Sequence, residues 1–472
     1  MSRDRLVPLI VAVALFMENM DSTVIATSLP AIAADLHTSP LTLKLAVTSY
    51  LLSLAVFIPA SGWTADRFGA RQVFRAAIAV FIVGSIGCAM ATSLSSFVAA
   101  RIVQGIGGAM MTPVGRLVLV RSIDKRALID AMAWVTVPAL IGPVIGPPLG
   151  GFITTYFSWH WIFLINVPIG LIGIFLVTRF IEDIKAETPE RFDLVGMVLA
   201  GLGVAGLAFG LSVVGLDLLP WPLVAALIGG GGVSMLAYLA HARRTSSPVL
   251  DFSLLALPTF GASFLGGFLF RLGVGALPFL LPLLMQLGFG LSPLQSGLIT
   301  FAAALGAIGM KAMAAPIVRH FGFRRVLIIN SVICSLFLAA CASFTPSMPV
   351  AFIVALLLIG GFFRSLQFTA INAMAYADVE PARMSRATTL ASVGQQLSIS
   401  TGVAVGGLAV EAAVHLRSHT AITAADFPAA FLLVAAISAT SAFIFARLPP
   451  DAGSEMAGRQ PTPAPEHTEA AR

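Results

Sequence analysis

Read from the N-terminus, the chain alternates between long apolar runs and short polar or basic interruptions, and this alternation is its dominant pattern. A helix needs about 20 predominantly apolar residues to cross a hydrocarbon core. Fourteen runs reach that length: approximately Leu6 to Leu29, Leu41 to Gly62, Val73 to Thr92, Phe97 to Val120, Ile129 to Thr155, Trp161 to Ile181, Leu194 to Gly215, Trp221 to His241, Pro258 to Leu284, Leu294 to Ile317, Val326 to Phe344, Val350 to Tyr376, Ala387 to Val414 and Pro428 to Phe445. Each predicts a membrane-spanning helix, because a helix satisfies its own backbone polar groups without water. The expected fold class is an all-α polytopic membrane protein.

Composition agrees with that pattern. Of the 472 residues, 58% are apolar and 11% charged, against about 25% charged in a soluble domain. A soluble protein and a disordered one are both excluded. The net charge of +6 would suggest nucleic acid only if the charges formed a patch, and they do not. Outside the spans, Lys and Arg fall in one alternating set of loops, among them Arg67, Arg71, Arg75, Arg243, Arg244, Arg324 and Arg386, and the opposite set holds Arg417 alone. By the positive-inside rule the basic set is cytoplasmic, which places both termini inside a cell inner (plasma) membrane. The first run carries Glu18 and Asp21 near its middle, unlike a cleavable signal peptide, and is read as a retained first span. Cys88, Cys334 and Cys341 lie in apolar stretches without paired spacing and are read as small core residues. The tail after Leu448 lacks an apolar period and is expected to be disordered.

An internal repeat organises the spans. Gly62 to Arg71, between spans two and three, aligns with Ala315 to Arg324, between spans ten and eleven: Phe68-Gly69 falls on Phe321-Gly322 and Arg71 on Arg324. Two six-helix bundles related as parallel repeats follow, with two extra helices between them. The expected divisions are 1–181 for the first bundle, 182–250 for the inserted pair, 251–447 for the second bundle and 448–472 for the tail.

At this point the chain resembles the major facilitator superfamily, and within it the fourteen-span drug:proton antiporter branch. Gly62, Asp66, Arg67, Gly69 and Arg71 match the loop signature, with Ala70 at a place usually basic. Arg101, Gln104, Gly105, Gly107 and Gly108 match R-x-x-Q-G-x-G-G in span four. Gly142-Pro143-Val144-Ile145-Gly146-Pro147-Pro148-Leu149-Gly150-Gly151 is similar to the exporters' span-five signature, lengthened by Pro147-Pro148-Leu149. Trp159 to Gly170 and Asp21 to Pro30 resemble further signatures of the branch, with His160 replacing a usual Arg. The resemblance implies a proton-coupled exporter of small molecules working by alternating access, most simply in multidrug efflux. It assigns Asp21 to coupling or cation sensing, and Arg101 to proton coupling.

The residues themselves define candidate chemistry. Glu18 and Asp21 are three apart on one helical face near the midplane, where burial favours the protonated form of an acid. Such a pair holds a proton and releases it when water or a cation arrives. A fixed ion pair with an arginine would explain the same placement. Arg101 and Gln104 are neighbours on span four, and Arg116, further along, either joins them or snorkels to the surface. Gly142, Pro143, Gly146, Gly150 and Gly151 are expected to shape a hinge in span five. Asp66, Arg67, Gly69 and Arg71 are expected to form a gate latch, although the arginines alone would serve to orient the chain. Within the spans, Lys44, Arg101, Arg116, Arg271, Lys311 and Arg364 outnumber Glu18, Asp21 and Glu411. Arg271 and Arg364 therefore open an alternative, export of an organic anion or metal chelate, against simple pairing with carbonyls.

No nucleotide-binding loop, nucleophile constellation or metal-ligand cluster occurs in the sequence, which argues against an enzyme or a nucleotide-driven pump. No cofactor or metal is expected. The expected partners are a small-molecule substrate (a lipophilic drug or an organic anion), protons and the lipid bilayer, without nucleic acid, and the chain is expected to act as a monomer. The topology is checked by single cysteines in a chain whose three native cysteines are replaced by alanine. Ser418→Cys should react with an impermeant maleimide in intact cells and Gln72→Cys only after permeabilisation, and the opposite pattern would invert the orientation.

Overall fold

The computed structural model describes residues 3–122, 128–182, 192–216, 218–418 and 421–454. Among these, the chain is helical throughout and contains no strand. Its long helices are α1 (Arg3–Val24), α2 (Lys44–Phe57), α3 (Ala70–Ala89), α4 (Leu94–Ser122), α5 (Leu128–Tyr156), α6 (Asn166–Phe180), α7 (Leu194–Val213), α8 (Trp221–Ala242), α9 (Pro258–Gly275), α10 (Pro293–Phe321), α11 (Phe323–Ala340), α12 (Val350–Met374), α13 (Met384–Leu416) and α14 (Pro428–Phe445). Thirteen helical segments of the described chain are long and apolar enough to cross a membrane. Helix α5, 29 residues long, occupies the place of the remaining expected span. The chain is thus a multi-pass membrane protein. Two spans are not single helices: α1 passes through a 3₁₀ turn at Ile25–Thr27 into Leu29–Asp35, and the ninth span breaks after Gly275 and resumes as Leu277–Leu283. The expected disordered tail lies, from residue 455 onward, outside the described residues.

Helix packing repeats with a shift of eight. In the first six helices α1 packs on α5 and α6, α2 on α4, and α3 on α4 and α6; in the last six, α9 packs on α13 and α14, α10 on α12, and α11 on α12 and α14. Two seams join the sets, α2 with α13 and α5 with α10, and the same shift exchanges one seam for the other. Helices α7 and α8 pack on each other, and α7 also lies against α2 and α13, beside a seam. Only 17% of the most apolar window of α8 is buried, so this helix gives most of its surface to lipid.

The sequence repeat has a backbone cause. Gly69 and Gly322 each follow a helix end at φ of 98° and 79°, where a Cβ would be strained. They turn the chain directly into α3 and α11. The arginine two residues on then reaches the far end of its own set: Arg71 Nη1 donates to the Ile181 carbonyl, just past α6, at 3.4 Å, and Arg324 Nη2 to the Ala446 carbonyl, just past α14, at 2.9 Å. A guanidinium there satisfies carbonyls that a helix C-terminus leaves open and matches its negative end.

In the connection between α8 and α9, buried Asp251 accepts from Ser253 Oγ at 2.5 Å and from Arg383 Nη2 at 2.9 Å, with Arg386 at 3.8 Å, tying this segment to the start of α13. Burial alone would raise this carboxyl, but the hydrogen bonds from Ser253 and Arg383 and the arginine charge outweigh it and hold the group below its ordinary value. Its contribution to stability is therefore present above about pH 4 and fades only as the pH falls through that lowered value.

In the second bundle α10 approaches α12 closely, where Gly306 meets the Leu358 carbonyl and Gly361 the Ala303 carbonyl. No side chain fits at either position. Gly361→Leu is expected to force the helices apart at a cost of about 1–3 kcal/mol, read as a lower unfolding temperature in detergent; an unchanged temperature would contradict this packing.

Candidate functional site

Four helices of the first bundle converge on one carboxylate. Asp21, fully buried on α1, accepts from Arg101 Nη1 of α4 at 2.8 Å, Gln104 Nε2 of α4 at 2.8 Å and Asn166 Nδ2 at the start of α6 at 2.7 Å. From α3, Ser85 Oγ accepts from Gln104 at 2.8 Å and from Asn166 at 3.2 Å. Arg101 Nη1 also donates to Gln104 Oε1 at 2.5 Å, and its Nε reaches the Ala46 carbonyl at 3.5 Å. The guanidinium lies over the Tyr50 ring at 4.2 Å. Every one of these partners of Asp21 is a donor, so the group is matched as an anion. A proton placed on it would set a donor against donors and loosen the pair with Arg101.

Glu18 belongs to a different environment one turn away. Its Oε2 accepts from Thr112 Oγ1 of α4 at 2.8 Å, and its side chain lines a cavity of about 270 Å³ between the two helix sets. Arg101 and Tyr50 line the same cavity, whereas Asp21 does not; from the second set come Phe279, Gln395 and Gln396. The Tyr50 hydroxyl is buried and finds no hydrogen-bond partner among the described residues. Arg101 thus touches both compartments, with one edge on Asp21 and another on the cavity.

The remaining expected residues divide by location. Arg116 is exposed on α4 and makes no contact with Asp21. Gly142, Gly146 and Gly150 form one face of α5 against α1, at Phe16 and Met20, at Thr23, and at Val24 and Thr27 respectively. This small-residue face lets α5 close on the helix that carries both acids. Pro143 lies beside that face, and Gly151 turns instead to the Pro293 carbonyl at the start of α10. Asp66 and Arg67 lie on the short helix Ser61–Phe68, and the Arg71 contact given above stays within the first helix set. Arg271 donates to Asn372 Oδ1 at 2.7 Å and Arg364 borders a separate small cavity; neither lines the central one.

Lys44, counted among the excess basic residues, is matched across the α2–α13 seam by Glu411 at 3.2 Å. Gln286 Nε2 to the Thr27 carbonyl at 2.9 Å and the Leu294 amide to Thr155 Oγ1 at 3.1 Å also join the two sets. All three lie at the end opposite the Arg71 and Arg324 loops, so the sets are closed on each other at that end.

Sequence reasoning missed Tyr50, Ser85, Thr112 and Asn166. Tyr50 and Asn166 carried a signal, a phenol and an amide within apolar runs that need partners there. Ser85 and Thr112 carried none, because hydroxyls are common in membrane helices and satisfy themselves on the preceding turn.

A polytopic helical protein with two repeated helix sets, a cavity between them and buried charges beside it has the construction of a secondary transporter. The comparisons make this specific: the chain matches the Major Facilitator Superfamily over residues 11–277 and again over 263–470, and it belongs to that family of transporters. It is 39% identical over 455 residues, 95% of each chain, to the protein MdtD of Salmonella paratyphi B, and equally so to that of Salmonella typhimurium; the name of both assigns multidrug resistance provisionally. Among solved structures, the fold is similar to a D-xylose–proton symporter (TM-score 0.67, 15% identity, 96% of this chain and 99% of that one). It is also similar to a bacterial homologue of the human lysosomal transporter Spinster in an inward-facing state (TM-score 0.66, 15% identity, 98% and 99%).

Removing one member of the Asp21–Arg101 pair strands a buried charge. Asp21→Ala or Arg101→Ala is expected to cost about 3–5 kcal/mol, and the double variant clearly less than the sum. Thermal unfolding of the four proteins measures this, and additive losses would mean that the pair is not coupled.

Proposed function

We propose that this chain is a proton-coupled exporter of small molecules, of the multidrug efflux type, acting as a monomer in a bacterial inner membrane with both termini in the cytoplasm. Residues 1–181 and 251–447 move against each other as two bundles, and 182–250 is an accessory pair. The observation that carries the reading is the double exposure of Arg101: one guanidinium is bonded to Asp21 and lines the cavity. A proton arriving at Asp21 frees that guanidinium into the cavity, where it repels a cationic or polarised cargo. Departure of the proton recaptures Arg101 and restores affinity. Glu18, on the cavity wall, is the group that meets the cargo, and the apolar lining accepts its lipophilic body. Inward movement of each proton supplies about 2.3 kcal/mol per 100 mV. The Asp66, Arg67, Gly69 and Arg71 loop serves as a latch at the cytoplasmic end, and the glycine face of α5 as the hinge.

The competing reading, export of an organic anion or metal chelate, draws on the basic residues of the second half. Because Arg271 and Arg364 lie off the central cavity, Arg101 is the one guanidinium among its lining residues that supports it.

Everted membrane vesicles with an imposed pH gradient test the proposal. A labelled lipophilic cation should accumulate; Asp21→Asn should cut gradient-driven uptake at least tenfold while leaving binding measurable. Glu18→Gln should raise the apparent KM for cations more than for neutral compounds. Undiminished uphill uptake with both acids neutralised would overturn the coupling scheme, and uptake of organic anions in preference to cations would select the competing reading.

A further inference from the structure

The second bundle holds a positive charge that the described residues do not match. Within α9 to α14 the one carboxylate is Glu411, and it is engaged by Lys44 at 3.2 Å. Arg271 has the Asn372 carbonyl oxygen at 2.7 Å and the Phe368 ring at 5.5 Å. Arg364, near the middle of α12, has neither hydrogen bond nor ion pair among the described residues. It borders a cavity of about 30 Å³ walled by Leu281, Cys334, Phe337, Cys341 and Gly361, apart from the central cavity. A guanidinium at this depth is costly unless an anion or acceptor meets it.

We propose that Arg364 binds one small monovalent inorganic anion, with chloride as the physiological occupant, held as a resident counter-ion and not as cargo. Size decides the class. A cavity needs roughly 10–15 Å³ to hold one water, so this one of about 30 Å³ admits a single small ion or about two waters, whereas the central cavity of about 270 Å³ is the one of substrate size. The guanidinium fork alone would suit a carboxylate or phosphate as well, so it is space that selects: beyond Arg364 the walls are apolar side chains and two thiols, with no room for the several heavy atoms of an oxyanion. A spherical, monovalent halide fits that space and tolerates apolar walls. The ion neutralises the bundle on its own, which leaves the central cavity free to select cargo by Glu18 and Arg101.

Thermal unfolding of the full chain in detergent, at constant ionic strength, reads this directly. The unfolding temperature should rise by several degrees and saturate as gluconate is replaced by chloride or bromide, since a ligand of the folded state alone stabilises it by mass action. Arg364→Leu should abolish the response. Equal unfolding temperatures in gluconate and chloride, or a halide response retained in Arg364→Leu, would overturn the proposal. Should that variant not fold, bromide-soaked crystals of the unchanged protein give the same decision: an anomalous peak against Arg364 supports the site, and a cavity without one refutes it. Neither readout depends on transport, so failure here leaves the export reading standing, and failure of export leaves this site to be judged alone.

Discussion

A carboxylate and a guanidinium 2.8 Å apart inside a helix bundle set the terms for the first half of this protein. Neither charge can be kept alone in a low-dielectric interior, and a pair of this kind holds only when the remaining lone pairs and protons also find partners. Asp21 and Arg101 meet that condition by recruiting Gln104, Asn166, Ser85 and the Tyr50 ring from four further positions. The packing follows from it. Helices α1, α3, α4 and α6 must approach one point, and the glycine face of α5 brings α1 there without bulk in the way.

In the coupling scheme proposed above, the pair is what lets a rigid bundle respond to a proton. Glu18 and Asp21 lie on one helix a turn apart, yet one faces the cavity with a single hydroxyl donor and the other is enclosed by donors. Arg101 is shared between those environments, so a change of charge at the enclosed acid is felt at the cavity wall through one side chain. Movement between the helix sets has a matching construction. The seams α2–α13 and α5–α10 are related by the internal repeat, and at one end they are tied where Lys44 meets Glu411 and Gly151 meets Pro293, while α2–α13 also packs toward the other end, Ile58–Ala60 lying against α13. Opening that end means separating the Lys44–Glu411 ion pair and the close approach of Gly151 to the Pro293 carbonyl, a discrete event and not a gradual one.

The two halves of the molecule handle charge differently. In the first, buried Asp21 and Arg101 are matched within the bundle and Lys44 by Glu411 across the seam, while in the second Arg271 relies on an amide and an aromatic face and Arg364, by our inference, on an ion from solution. The repeat preserves backbone geometry, as Gly69 and Gly322 and the carbonyl contacts of Arg71 and Arg324 illustrate. It does not preserve the acids. Shape is inherited by both halves and chemistry by one.

The span pattern, the loop charges and the Phe-Gly-x-Arg repeat were legible in the sequence because each is a local property: a run of about 20 apolar residues, a cation excluded from hydrocarbon, a glycine at positive φ. Glu18, Asp21, Arg101 and Gln104 stood out for the same reason, as polar groups where lipid demands none. What could not be read was partnership. Asp21 and Arg101 are 80 residues apart, Lys44 and Glu411 are 367 apart, and helical periodicity says which face a residue occupies without saying what lies opposite. Only the folded bundle decided that Asp21 is enclosed and Glu18 exposed to the cavity, that Lys44 is neutralised while Arg364 is not, and that the span-five glycines press on α1. Those outcomes depend on helix rotation and contact over long chain separations, where small differences in packing decide which side chains meet.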